Sequence, residues 1–484
     1  MRIALVLEVI GELLRLFALA FLAPLSLALY DGETEVAGHF AIALAATYLC
    51  GRLAGSSANS DGTSSFRRSE ALSVVAGTWL AVGAFASIPY LFAGISPVDS
   101  FFESISGFTT TGATILTDFS AYGRAFYLWR SMTQWFGGMG VIALFVVVLP
   151  RLGIAGRQLF FAEASRAPSE AVSPQVRVAA RRLWLLYTAL TLLQVLLLFQ
   201  VAGMKIYDAI CHSMTTMATG GFSPNPESVG GYHNPAAEWI FVLFMLIGGT
   251  SFPLLWRALT RRPLALFRDG EFLFYIGVAA AGALGVALLQ EGPVFLDRLR
   301  TGAFQSASLI SSTGSASTDY NLWGDASRVV LVMVMLVGGC AGSASGGPKA
   351  VRILLVLKYL RREITSVLHP RAVIPLRYKG SAIPNKILRA VFTLVMLYLL
   401  LYVFIGLTVV LLGADMVTGF SAALACVGNI GPGFGPAGPM GNFAGFPTAS
   451  KIVLTLGMWI GRLEVVTVLA LLHPDVWRRL RWRE

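Results

Sequence analysis

The sequence predicts an all-α polytopic membrane protein, with four helix–pore loop–helix repeats around a central pore and two extra N-terminal transmembrane helices. Three observations predict it. Of 484 residues, 56% are hydrophobic and 13% charged, whereas soluble domains carry about 25% charged residues. About ten apolar segments approach the roughly 20 residues that a spanning helix needs. Four short tracts of small, hydroxyl-bearing and glycine residues recur about every hundred residues. The mean hydropathy of +0.70 excludes a soluble enzyme, a nucleic-acid-binding domain and a disordered chain. The apolar runs are continuous rather than alternating, which speaks against a transmembrane β-barrel.

The spans are expected, in order, at 8–29, 37–53, 71–93, 126–149, 182–203, 236–257, 272–290, 328–341, 387–412 and 452–472. The segment at 328–341 is short for a span. Met1-Arg2 leads into the first run without a small-residue cleavage site near its end, so that helix is expected to stay as an anchor. The chain divides into a two-helix region (1–69) and four repeats, at 70–176, 177–270, 271–384 and 385–484.

Lysine and arginine orient the spans. With the N-terminus cytoplasmic, the inner side collects Arg52, Arg67 and Arg68, then Arg151, Arg157, Arg166, Arg177, Arg181 and Arg182. It also takes Arg257 to Arg268, the basic run from Lys349 to Arg389, and the tail Arg478 to Arg483. The first outer loop is acidic, with Asp31, Glu33 and Glu35. The expected topology is N-in, C-in, and it accounts for the net charge of +11 without nucleic acid. Cys50, Cys211, Cys340 and Cys426 are dispersed and read as free thiols.

The outer loops carry the repeats: FFESISGFTTTG at 101–112, AICHSMTTMATG at 209–220, AFQSASLISSTG at 303–314 and FSAALACVGNIG at 420–431. Each reads as a helix too short to span, ending in a small-residue tract at Gly112, Gly220, Gly314 or Gly431. Glycine pairs also recur in the following helices, as Gly137-Gly138, Gly248-Gly249, Gly338-Gly339 and Gly457 with Gly461. Four such tracts closing on one axis can present backbone carbonyls to a bare cation in place of its hydration shell. Helix C-termini aimed inward add partial negative charge. Only Glu103 contributes a carboxylate, so large monovalent cations suit the site better than divalents.

Several stretches resemble the TrkH family of potassium transporter subunits, within the Trk/Ktr/HKT superfamily: SGFTTTGAT at 106–114, WRSMTQWFGGMGVIAL at 129–144, ATGGFSP at 218–224, GGCAGSASGGPKAVR at 338–352, VGNIGPGF at 427–434 and GRLEVVTVLALLHP at 461–474. The resemblance implies potassium uptake across a bacterial cytoplasmic (inner) membrane, with potassium held by carbonyls of the residue pair before each filter glycine. Those pairs are Thr110 and Thr111, Ala218 and Thr219, Ser312 and Thr313, and Asn429 and Ile430. The fourth tract departs from the Thr/Ser-Gly pattern, which leaves a less selective sodium/potassium conductor as the alternative. The resemblance also implies an intramembrane gate, a cytosolic TrkA-like nucleotide-binding partner and a homodimer.

The gate is expected in the Gly-rich stretch 338–348, a poor helix at membrane depth that must line a cavity or lie within protein. Gly342, Ser343, Gly346 and Gly347 belong to it. Lys349 either adds a positive barrier there or starts the cytoplasmic basic run. Arg462, midway along the last span, costs about 2.5–3.5 kcal/mol at the bilayer centre. It either meets the gate's carbonyls, repels cations or pairs with nearby Glu464. His212 aligns with Ser104, Ser306 and Ala423 as a packing position. An intramembrane hydrolase built on Ser343 or Ser345 would need a base, for which Lys349 is the near candidate. There is no nucleotide-binding motif, so ion gradients supply the energy, about 2.3 kcal/mol per charge per 100 mV. No organic cofactor is expected.

Overall fold

The structure, a computed structural model, describes residues 2–55, 68–143, 174–372 and 374–477. The expected inner-loop charges Arg67, Arg151, Arg157 and Arg166, the tail arginines from Arg478, and the last residues of the 126–149 span lie outside these.

The N-terminal pair consists of α1 (Ile3–Ala18), a 3₁₀ turn (Leu19–Phe21), α2 (Leu22–Tyr30) and α3 (Thr34–Gly55). Pro24 cannot donate into the preceding turn, and the chain tightens to 3₁₀ geometry just before it. α1 packs on α3 where Gly11 meets Gly51, and a Cβ on Gly11 would stand 2.5 Å from the Gly51 oxygen. Small residues at such a crossing let two backbones approach closely.

Four units follow. The first comprises α4 (Arg68–Ala86), α5 (Ile88–Phe92), the short α6 (Pro97–Phe108) and α7 (Arg124–Ala143). The second comprises α8 (Pro174–Gln200), the short α9 (Ile206–Met217), α10 (Pro235–Gly248) and α11 (Phe252–Thr260). The third comprises α12 (Gly270–Leu289), α13 (Phe295–Ile310), α14 (Asp325–Met335) and α15 (Ala350–Leu368), with a hairpin of β1 (Arg377–Tyr378) and β2 (Ser381–Ala382). The fourth comprises α16 (Asn385–Leu411), the short α17 (Met416–Val427), α18 (Thr448–Arg462), α19 (Val465–Leu472) and α20 (Pro474–Trp477).

Apolar clusters join the units into a closed ring. Phe108 and Trp129 of unit one share a core with Val427 and Met458 of unit four. Ile142 meets Tyr187 and Phe252 of unit two. Phe241 meets Phe304 of unit three, and Ile310 shares a core with Leu424 of unit four. The short helices sit at the centre, almost wholly buried, with Ser104, Ser213, Ser306 and Ala423 all inaccessible. The long helices expose Leu192, Leu196, Leu400 and Phe404 outward, as faces toward lipid do.

Three expected spans differ. Among the described residues, five helices are long and apolar enough to cross a membrane, or seven if each bent pair counts once. The segment expected at 236–257 is two helices, α10 and α11, at 103°. The one expected at 452–472 is α18 and α19, at 110°. The 328–341 segment leaves the helix at Met335 and stays irregular to Lys349. The physical reason is common: Pro253, the positive φ of Glu464 (68°) and the Gly-rich run interrupt the hydrogen-bond ladder. Hydropathy registers composition and not direction.

Candidate functional site

Each short helix ends the same way. Ser96 caps α6 by accepting from the Asp99 N–H at 3.3 Å, and Asp415 caps α17 by accepting from the Thr418 N–H at 3.0 Å. At the other end the Thr111, Gly220, Thr313 and Ile430 N–H groups reach back five residues, to the oxygens of Ser106, Thr215, Ser308 and Ala425, each at 2.8 Å. This closure needs a left-handed residue just before. That residue is Thr110 (φ 49°), Thr219 (φ 55°), Ser312 (φ 55°) or Asn429 (φ 51°). None is glycine, so each holds backbone strain of about 1–3 kcal/mol. Identical strain at four equivalent positions marks a site.

Two residues later comes a left-handed glycine in each tract: Gly112 (φ 85°), Gly221 (φ 77°), Gly314 (φ 78°) and Gly431 (φ 100°). A Cβ on Gly112 would collide with the Gly220 oxygen, one on Gly221 with the Thr313 oxygen, and one on Gly314 with the Ile430 oxygen. A Cβ on Gly431 would meet the Thr111 oxygen at 2.6 Å. The chain of contacts therefore runs from unit one to two, three, four and back to one. Only glycine lets a neighbour's carbonyl lie so close.

This corrects the second tract by one residue. Gly220 is not the counterpart of Gly112; Gly221 is, and the preceding pair is Thr219 and Gly220. Ala218 caps the end of α9. The sequence offers Gly220-Gly221 in tandem, and only the backbone turn chooses between them. His212 consequently aligns with Glu103, Gln305 and Ala422, not with Ser104, Ser306 and Ala423.

Side chains brace the ring. Gln134 of α7 donates to the Gly220 oxygen at 2.7 Å and accepts from the Phe222 N–H at 3.0 Å. Sequence reading passed over Gln134; its signal was a polar residue inside an apolar helix. The Thr109 and Thr111 hydroxyls lie 2.7 Å apart, as do those of Ser311 and Thr313. Asn429 donates to the Thr111 hydroxyl at 3.0 Å and to the Met458 oxygen at 2.9 Å. On one side a vestibule opens, lined by all four left-handed glycines with Phe222 and Arg130.

The irregular segment 336–349 packs on the other side. The Gly346 N–H donates to the Ser312 hydroxyl at 2.6 Å, and a Cβ on Gly346 would strike the Gly428 oxygen. Cys340 N–H donates to the Gly249 oxygen at 2.8 Å, and Phe252 N–H to the Gly342 oxygen at 3.0 Å. The Ser343 hydroxyl donates to the Cys340 oxygen at 2.6 Å, and Lys349 Nζ donates to the Ser345 oxygen. Gly347 is left-handed and lies against Gly338. This is backbone at membrane depth satisfied within protein.

Glu271, in the first turn of α12, accepts from the Ala341 N–H at 2.6 Å. Asp269 caps that helix and pairs with Lys379 of the hairpin at 2.9 Å. Replacing Glu271 with alanine leaves the buried Ala341 N–H unpaired, at a cost of about 1–3 kcal/mol. The expected result is a lower unfolding temperature and a raised basal ion leak. Glu271→Gln, which keeps the acceptor oxygen, should restore both; an alanine variant identical to wild type would sink this assignment.

A cavity below the segment is lined by Ser345, Gly346, Gly347, Lys349, Arg462 and Glu464. Arg462 does not pair with Glu464. Glu464 takes Arg352 instead, at 2.5 Å, because Glu464 starts α19 beyond the bend and turns away from α18. Arg462 is 3% exposed, and its three guanidinium nitrogens have no hydrogen-bond partner among the described residues. Among the same residues, no three His, Cys, Asp or Glu side chains converge to hold a metal.

The TrkH family profile, described as cation transport protein, matches residues 38–476. The chain belongs to the TrkH family. It is 34% identical to the Trk system potassium uptake protein TrkH of Halomonas elongata, over 99% of this chain and all of that one. It is 36% identical to the Escherichia coli K12 protein of the same name, over 83% and 84%. The crystal structure of the potassium transporter TrkH from Vibrio parahaemolyticus superposes with a TM-score of 0.90 at 33% identity, covering 99% of this chain and 100% of that one. The relatives are named as transport proteins, and the family and fold place this chain among membrane transporters.

Proposed function

We propose that the chain carries potassium inward across the bacterial cytoplasmic membrane, with both termini cytoplasmic. Its filter is the ring of carbonyls at Thr110, Thr111, Thr219, Gly220, Ser312, Thr313, Asn429 and Ile430. The observation that carries this reading is the closed cycle of glycine-on-carbonyl contacts through all four units. Carbonyl rings replace a cation's hydration shell, and the relatives are named for potassium uptake. The segment 336–349 is the gate, held against the filter through Gly346 and Ser312, with Lys349 and Arg462 as its charges. Exposed Lys358, Arg361, Arg371 and Arg377 offer a basic face to a cytosolic TrkA-like nucleotide-binding subunit.

The test is cation flux in liposomes containing the purified protein, with potassium and sodium gradients compared. Potassium flux well above sodium supports the reading. Equal flux supports the less selective relative. No flux, even with the nucleotide-binding partner added, overturns the pore.

A further inference from the structure

The geometry points to a positioning pair outside the ring: Arg130 and Glu103 lock together the chain segments leaving the first and second tracts, and so set the ion discrimination of the carbonyl ring. The inference rests on the conduction reading above.

Glu103 lies in α6 and Arg130 in α7, and they are 0% and 1% exposed. Arg130 Nε and one terminal nitrogen both reach Glu103 Oε1 at 2.8 Å. The carboxylate also accepts from the Thr114 hydroxyl at 3.0 Å and from the Ile115 N–H at 2.9 Å. These residues lie two and three positions after Gly112. The other end of the guanidinium donates to the Ser223 oxygen at 3.0 Å, just beyond Gly221. Its plane lies 4.1 Å over the Phe222 ring. One arginine of unit one therefore spans the exits of two tracts. A planar fork does this, and a lysine point charge does not.

The equivalent positions carry weaker versions of the same device. His212 sits 3.5 Å from the Ser223 hydroxyl. Gln305, with its amide oxygen turned to the backbone, accepts from Ser317 N–H at 3.1 Å and Thr318 N–H at 3.3 Å. Unit four has Ala422 there, and its neighbour Ser421 accepts from the Phe434 N–H at 2.9 Å. Each short helix thus anchors the segment after its own tract. Unit one adds a charge and reaches across to unit two.

Charge gives the pair a second duty. Among the described residues lining the vestibule, Arg130 alone carries a formal charge. An uncompensated cation there would repel an approaching one, and Glu103 neutralises it while the fork holds the geometry.

The experiment uses the full chain in liposomes and measures potassium and sodium flux for E103Q, R130K and the double variant E103Q/R130Q, each checked for monodisperse elution. E103Q keeps one acceptor oxygen, turns the other into an NH2 donor and leaves the arginine's charge uncompensated. Its flux should fall about fivefold, more at low salt than at high. R130K and the neutral double variant lose the fork, so each should lose potassium-over-sodium discrimination by about fivefold or more. The double variant should recover rate without recovering discrimination. Should E103Q misfold, R130K and the double variant carry the test. Wild-type discrimination in both folded variants overturns the inference and leaves the pore intact. A wild type that conducts both ions equally overturns it too, since no discrimination is then set. A wild type that conducts nothing, even with the nucleotide-binding partner, overturns the conduction reading and this inference together.

Discussion

Replacing Gly221 with alanine is expected to abolish potassium conduction, with a loss of at least about tenfold in liposome flux. Two effects add. Alanine at a left-handed φ costs about 1–2 kcal/mol, and the backbone here sits at 77°. The new methyl group also collides with the Thr313 oxygen, which must swing away from the position it shares with three equivalent carbonyls. A shift of 1.4 kcal/mol in site free energy is tenfold. Gly112→Ala and Gly314→Ala should behave alike, since each meets the neighbouring unit's carbonyl in the same way. Ala218→Gly removes one methyl at a helix cap and should leave flux within about twofold, the cost of a helix-end glycine being under ~1 kcal/mol. The comparison tests the register. Loss of conduction in Ala218→Gly with normal conduction in Gly221→Ala would refute it.

Arg462→Ala should raise potassium flux by roughly tenfold. The guanidinium is buried, lacks protein hydrogen-bond partners among the described residues, and lines the cavity beneath the irregular segment. At about 8–10 Å and an effective dielectric near 20, a fixed unit charge opposes a passing cation by about 2 kcal/mol. Removing it takes that barrier away, while Arg462→Lys keeps the charge and should stay near wild type. Rubidium uptake into liposomes reads both variants. A folded alanine variant with wild-type flux would refute the electrostatic role, as would normal flux accompanied by loss of expression alone.

Much of the architecture was legible because membrane constraints act on composition. Apolar run length finds helices, and the recurrence of FTTTG, TTMATG, ISSTG and VGNIG finds the four tracts. The Gly-rich run 338–348 was legible as a break for the same reason: so many glycines with Pro348 cannot continue a helix. Arg462 stood out as a charge in an apolar segment. What stayed hidden depends on direction. The bends at Thr250 and Glu464 fall inside runs whose mean hydropathy is high enough for each to read as one span. Gln134 and Arg130 act across units, on Gly220 and Ser223, and no local pattern links them.

The sequence by itself determined that this chain is a helical membrane protein of four repeats, with small-residue tracts and a broken helix in the third. Only the tertiary structure decided which glycine of Gly220-Gly221 enters the ring, which cation Glu464 neutralises, and that Arg462 is left without a counterion among the described residues. The physical reason is that spans and tracts follow from each residue's own preference for lipid, helix or turn, which composition carries. Register and ion pairing follow from backbone direction and from contacts between units far apart in the chain, which appear only when all four units close around one axis.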